Sequence, residues 1–189
     1  FGLEFLNSKK GRPFLSKLSN KIIFADLKLH DIPNTCASAV KAMKDLKINY
    51  LTIHISSGLE ALKAAKKASG KIKLIGVTIL TSLNNKALKE IGFDKDVKKL
   101  VLHQARLASK ARLDAIVCSA QEVKLVKKVF KKEIITPGIR FSSKKNDQKR
   151  TLTPKQAIAN GANWLVIGRD ITKGNIKKNI KKLIDHLNR

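Results

Sequence analysis

The stretch KIIFADLKLHDIPNT, Lys21–Thr35, decides how the rest of the chain is read. After Lys21 it opens on an apolar run, Ile22–Ala25, that predicts a buried strand. Asp26, Lys28 and Asp31 then leave the C-terminal end of that strand. Residues two apart in a strand share a face, so the carboxylate of Asp26 and the ammonium of Lys28 are aimed side by side at one spot. Asp31 lies just beyond, where the chain turns into Ile32-Pro33. Charges at the end of a buried parallel strand are costly unless paired, and that end is where α/β barrels place their chemistry. A structural Asp–Lys ion pair with Asp31 as a helix N-cap also accounts for a bare DxKxxD.

Outward from this stretch, apolar runs alternate with amphipathic ones. Strands are predicted at Ile22–Ala25, Tyr50–Ile55, Leu74–Leu80, Ala115–Cys118, Ile134–Thr136 and Trp164–Gly168. Helical patterns fall between them near 36–47, 58–69, 84–91, 95–111, 120–131 and 154–161, and Ile176, Ile180, Leu183, Ile184 and Leu187 form one stripe of a last helix. Alternation with wholly apolar strands means a parallel sheet. Each strand ends in polar or glycine-containing chemistry, as in His54-Ile-Ser-Ser-Gly58, Thr136-Pro-Gly-Ile-Arg140 and Gly168-Arg169. Functional residues gathered at one end of every strand fit a (β/α)8 barrel better than a doubly wound sheet, and no strand is followed by GxGxxG. Six strands are two short of eight. The opening Phe1-Gly-Leu-Glu-Phe5 reads as the tail of another strand, followed by a helix near 10–19. The expectation is therefore one barrel domain over residues 1–189 that lacks its first strand and most of its second.

Composition narrows the function. No stretch of 18 apolar residues predicts a membrane span, and no charged segment followed by a long apolar one marks a secretory leader. Cys36 and Cys118 lie far apart in apolar surroundings, as expected of reduced thiols in a cytoplasmic protein rather than a disulfide or zinc site. Forty Lys+Arg against 14 Asp+Glu give a net charge of +26. The lysines are spread over the polar faces of the helices without interleaved aromatics, which reads as solvated faces, with polyanion binding the competing reading. His30 is expected to shape the turn after the first strand, and His54 to be a hydrogen-bonded barrel histidine. No HExxH or clustered His/Cys set exists, so no metal is expected.

Three further motifs lie at strand ends. Ile79-Leu-Thr-Ser82 offers Thr81, with Ser82 a candidate cap for the helix that follows. Thr136–Arg140 turns at Pro137-Gly138 into a polar segment, 141–152, that contains Asp147-Gln148-Lys149-Arg150 and has the length of a lid or an exposed loop. In Val166-Ile-Gly-Arg169, Gly168 lets a ligand approach the backbone and Arg169 presents a bidentate fork to phosphate.

DLKLHDIPNT, Asp26–Thr35, resembles the signature of the orotidine 5′-phosphate decarboxylase family. Related sugar-phosphate decarboxylases and synthases keep DxKxxD without IPNT. The resemblance runs through ILTS, PGIR, DQKR and VIGR in order along nearly the whole chain, and FGLEF matches, from its second position, the segment that closes the family's second strand. It implies that the family's first active-site lysine would immediately precede Phe1, with the first-strand aspartate earlier still. It also implies decarboxylation of orotidine 5′-phosphate to UMP and CO2 without metal or cofactor. Lys28, Asp26 and Asp31 would be catalytic, Asp31 reaching into the partner's site of a homodimer. Thr35, Thr81, Pro137, Arg140, Gln148, Gly168 and Arg169 would bind substrate. The rival readings are a Mg2+-dependent sugar-phosphate lyase of the same suprafamily and a basic nucleic-acid-binding module.

Overall fold

The computed structural model describes residues 1–18, 20–140 and 152–188. In chain order the elements are α1 (Leu3–Leu6), α2 (Gly11–Lys17), β1 (Phe24–Leu29), α3 (Pro33–Ala42), β2 (Tyr50–His54), α4 (Leu59–Ala68), β3 (Lys73–Val77), α5 (Asn85–Glu90), α6 (Val97–Lys110), β4 (Ala115–Val117), α7 (Val123–Val126), β5 (Glu133–Thr136), α8 (Pro154–Asn160), β6 (Trp164–Leu165), α9 (Arg169–Thr172) and α10 (Ile176–Asn188). Short 3-10 turns follow α3, at Lys44–Leu46, and β2, at Ile55–Ser57. The chain divides into two compact units, residues 1–78 with 106–116, and residues 79–105 with 117–189. No described helix is long and apolar enough to cross a membrane.

In the first unit the strands are ordered β1-β2-β3-β4. Tyr50 to His54 of β2 pair in parallel register with Lys73 to Val77 of β3. Leu51, Ile53, Ile55, Leu62, Leu74, Ile75, Leu113 and Ile116 are wholly buried there, so apolar burial on both sheet faces holds the strands, as their unbroken apolar sequences require. Phe1 donates its N–H to the Phe24 carbonyl at 2.7 Å, and its own carbonyl accepts from Asp26 N at 2.8 Å, the ladder pattern of a parallel neighbour along β1. The strand-tail reading of Phe1–Phe5 is corrected: only Phe1 makes ladder-like bonds, and Leu3–Phe5 are helical, in α1.

In the second unit β5 and β6 are parallel, with Ile135 opposite Trp164 and Thr136 opposite Leu165. Val123, Val126, Phe130, Ile134, Ile135 and Ala157 are buried around them. Helix α8 is closed at both ends. Thr153 and Gln156 form a reciprocal capping box, and Gly161, at φ +101°, ends the helix in the left-handed conformation.

The strand expected over Leu74–Leu80 ends at Val77, and Leu80 is exposed. Three further expectations are corrected. The first strand does not stop at Ala25 but runs to Leu29. The helix expected over 120–131 shrinks to α7, because Val129 and Phe130 both donate back to the Val126 carbonyl and turn the chain toward β5. The last strand ends at Leu165 rather than Gly168. The α10 stripe is helical but does not form a core, since Ile176, Ile180, Ile184 and Leu187 are each 38% exposed or more.

Candidate active site

The first unit builds its charged centre on an irregularity of β1. Ala25 lies opposite Leu51, yet Leu29 lies opposite Ile53, so β1 uses four steps where β2 uses two. This bulge contains Asp26 and Lys28, and Lys28 takes a left-handed backbone with φ +51°, unfavourable for a residue with a Cβ. The lysine amide donates to Thr52 Oγ1 at 2.8 Å. The Thr52 hydroxyl donates to Asp26 Oδ1 at 3.0 Å, and Lys28 Nζ donates to Asp26 Oδ2 at 2.7 Å. Asp26 and Lys28 therefore meet as the sequence predicts, but through a bulge and a neighbouring strand rather than through simple alternation. Their side chains are 31% and 30% exposed, open enough for a ligand and dry enough to strengthen the pair beyond that of a surface ion pair.

His54 ends β2 beside this centre, its ring centroid 5.4 Å from that of His30. The His30 ring in turn lies 3.4 Å from Ser56 Oγ through Nε2. Burial above all, then the positive fields of His30 and Lys28, hold the His54 imidazole below its ordinary value, with Asp26 opposing them. Asp31 is exposed and does not cap α3. The N-cap position belongs to Ile32, with Pro33 opening the helix, and Asp31 Oδ1 accepts the Ile32 N–H at 2.7 Å. Thr35 lies exposed in the first turn of α3.

In the second unit β5 delivers Thr136, half-buried Pro137 and Gly138, whose φ of +74° makes the turn that Pro-Gly predicts. Ile139 then bridges Leu152, and Arg140 donates its backbone N–H to the Leu152 carbonyl. The Arg140 guanidinium lies 3.7 Å from Asp170 Oδ1, with only 11% and 6% of the two side chains exposed. Gly168 is the N-cap of α9, and Arg169, its first residue, is exposed. A Cβ on Gly168 would meet no atom within 4 Å, so open space rather than packing surrounds this glycine. Thr81 is half-buried in the turn closed by Leu83 N to Leu80 O. Asn84, not Ser82, caps the next helix by accepting the Ala87 N–H. Gln148 and the polar segment around it lie outside the described residues. A cavity of about 600 Å³ in this unit is lined by residues of both signs, among them Asp96, Lys98, Lys99 and Glu122, and by none of the predicted site residues.

Sequence reasoning missed Thr52 and the pairing of Asp170 with Arg140. A hydroxyl in the middle of the buried run Tyr50–His54 was the available signal for Thr52, which is wholly buried.

Comparison with known proteins agrees with the family resemblance. Residues 3–182 match the model of the family described as Orotidine 5′-phosphate decarboxylase / HUMPS. The orotidine 5′-phosphate decarboxylase of Wolbachia sp. subsp. Brugia malayi (strain TRS) is 51% identical over 97% of this chain and 84% of its own length. That of Wolbachia pipientis subsp. Culex pipiens (strain wPip) is 48% identical over 97% and 83%. The crystal structure of the Lactobacillus acidophilus orotidine 5′-phosphate decarboxylase superposes with a TM-score of 0.83 at 32% identity, over 100% of this chain and 86% of that one. The fold is the (β/α) barrel that the alternation of strands and helices predicts, and the chain belongs to the orotidine 5′-phosphate decarboxylase / HUMPS family.

Proposed function

We propose that this protein decarboxylates orotidine 5′-phosphate to UMP and CO2, the last step of pyrimidine nucleotide synthesis, without metal or cofactor. The ring of hydrogen bonds joining Lys28, Asp26 and Thr52 carries the reading, because it fixes an ammonium and a carboxylate with little freedom to reorganise. Loss of CO2 from C6 of the pyrimidine leaves an sp2 carbanion that the ring delocalises poorly. Lys28 faces that carbon, stabilises the developing charge and delivers a proton to it. Asp26 holds Lys28 and sets a negative charge against the departing carboxylate. By resemblance to the family, Arg169, Arg140 and the backbone at Gly168 are assigned to the phosphate and Thr81 and Gln148 to the base, with Pro137 and Thr35 as further substrate contacts. Remote phosphate binding supplies the energy that holds the substrate carboxylate against Asp26. Asp31 is exposed; its carboxylate accepts the neighbouring Ile32 N–H and its carbonyl accepts from Cys36 Sγ. By resemblance to the family we assign its carboxylate to the site of a second copy, with a cytoplasmic homodimer as the working form.

The sugar-phosphate branch of the family differs in needing Mg2+ for an enediolate. Orotidine 5′-phosphate turnover that persists in EDTA supports the present reading. Absence of that turnover, with Mg2+-dependent, EDTA-sensitive cleavage of a 3-keto sugar-acid phosphate, would replace it.

A further inference from the structure

We infer that Thr52 is a positioning residue, one that fixes the direction of the Lys28 ammonium by fixing the backbone beneath it and the carboxylate opposite it; this rests on the reading of the site as a decarboxylase. The polarity of its hydroxyl is forced. Lys28 N–H can only donate, so Thr52 Oγ1 accepts there at 2.8 Å, and its single proton is left for Asp26 Oδ1 at 3.0 Å. A proton given in that direction matches an ionised Asp26, whose second oxygen then takes the ammonium at 2.7 Å.

The need for such a tie comes from the bulge. Between Ala25 and Leu29 the regular ladder to β2 is interrupted, and Lys28 sits at φ +51° within the gap. A left-handed non-glycine residue persists only where its surroundings over-determine it. Thr52 takes the place of the missing ladder acceptor with a side chain that is 0% exposed, so water does not compete for either bond. One buried hydroxyl thus couples the strained backbone, the carboxylate and the ammonium.

Valine has the shape of threonine without either bond, and serine keeps both bonds. In the purified protein, Thr52→Val should lower kcat for orotidine 5′-phosphate by about 100-fold, the scale of a small misplacement of a catalytic group, and move KM by less than about threefold. Thr52→Ser should stay within about tenfold of the parent. Amide hydrogen exchange at Lys28, followed by NMR, should quicken in Thr52→Val and stay slow in Thr52→Ser, which reports the tie without reference to turnover. A Thr52→Val protein with parental kcat, or with the Lys28 amide still protected, overturns the assignment and leaves the decarboxylase reading intact. Equal losses in both variants assign Thr52 to packing alone and also overturn it. A parent protein without turnover overturns the decarboxylase reading, and with it the catalytic part of this inference, whatever the exchange data show.

Discussion

At Lys28 the chain accepts a left-handed backbone in order to set an ammonium against a carboxylate. Asp26 and Lys28 were legible because unpaired charges are costly at the end of a buried strand. Their partner was not, because Thr52 is defined by the cross-strand register, and a bulge alters that register without a signature in the sequence. Arg140 was likewise legible as the cation that ends PGIR, whereas its ion pair with Asp170 exists only once the ends of β5 and β6 are neighbours. His54 yields a prediction at the same scale. Its imidazole is held below the ordinary value of 6.5 by burial first and then by His30 and Lys28, with Asp26 the one carboxylate opposing them. As pH falls through 6.5 the unfolded chain takes up a proton that the folded chain resists. The resulting stability is therefore fully present above that value and is lost below it, down to the folded value. Melting temperatures measured from pH 7.5 to about 5 should fall less steeply in His54→Gln than in the parent. Parallel curves would show that His54 does not carry the acid sensitivity.

Among the elements, a repeated clamp ties the starts of neighbouring strands. Asn49 donates its backbone N–H to the Ile23 carbonyl and accepts the Ile23 N–H on its side-chain oxygen at 2.7 Å. Asp114 treats Leu74 in the same way at 2.9 Å, and Asn163 treats Ile134 so at 2.8 Å. Each closes a strand pair, β1 with β2, β3 with β4, and β5 with β6, at the end opposite the chemistry. Asp114 also accepts Lys66 Nζ at 2.5 Å. Replacing Asn163 by Ala leaves the Ile134 amide without its acceptor and should cost about 1–3 kcal/mol in urea unfolding, with no change in KM. A loss below about 0.3 kcal/mol would mean that solvent satisfies the amide equally well. The positions of the strands were legible from their apolar runs; the clamps were not, since Asn and Asp before a strand read equally as turn residues. The predicted helix over 120–131 failed for a related reason. Its apolar spacing fits a helix, but Val129 and Phe130 are used to return the chain toward β5.

For the whole molecule, alternation of strand and helix sufficed to identify the barrel fold, and ordered motifs along the chain sufficed to identify the family. Exposure of the α10 stripe could not be foreseen, because periodicity reveals which residues share a face and not what that face meets. The net charge of +26 bears on substrate capture rather than on the fold. Raising salt from about 0.01 M to about 0.15 M shortens the Debye length from roughly 30 Å to roughly 8 Å, so kcat/KM for the phosphate ester should fall severalfold while uridine binding stays constant. A salt-independent kcat/KM would show that the lysines are too dispersed to steer the substrate.

Turnover of orotidine 5′-phosphate by Lys28→Ala, measured alongside its affinity for UMP, decides whether the Asp26–Lys28 pair carries the decarboxylation. Its kcat should fall at least about 1,000-fold, with UMP still bound within about tenfold of the parent affinity. Near-parental turnover in Lys28→Ala would contradict that role of the pair.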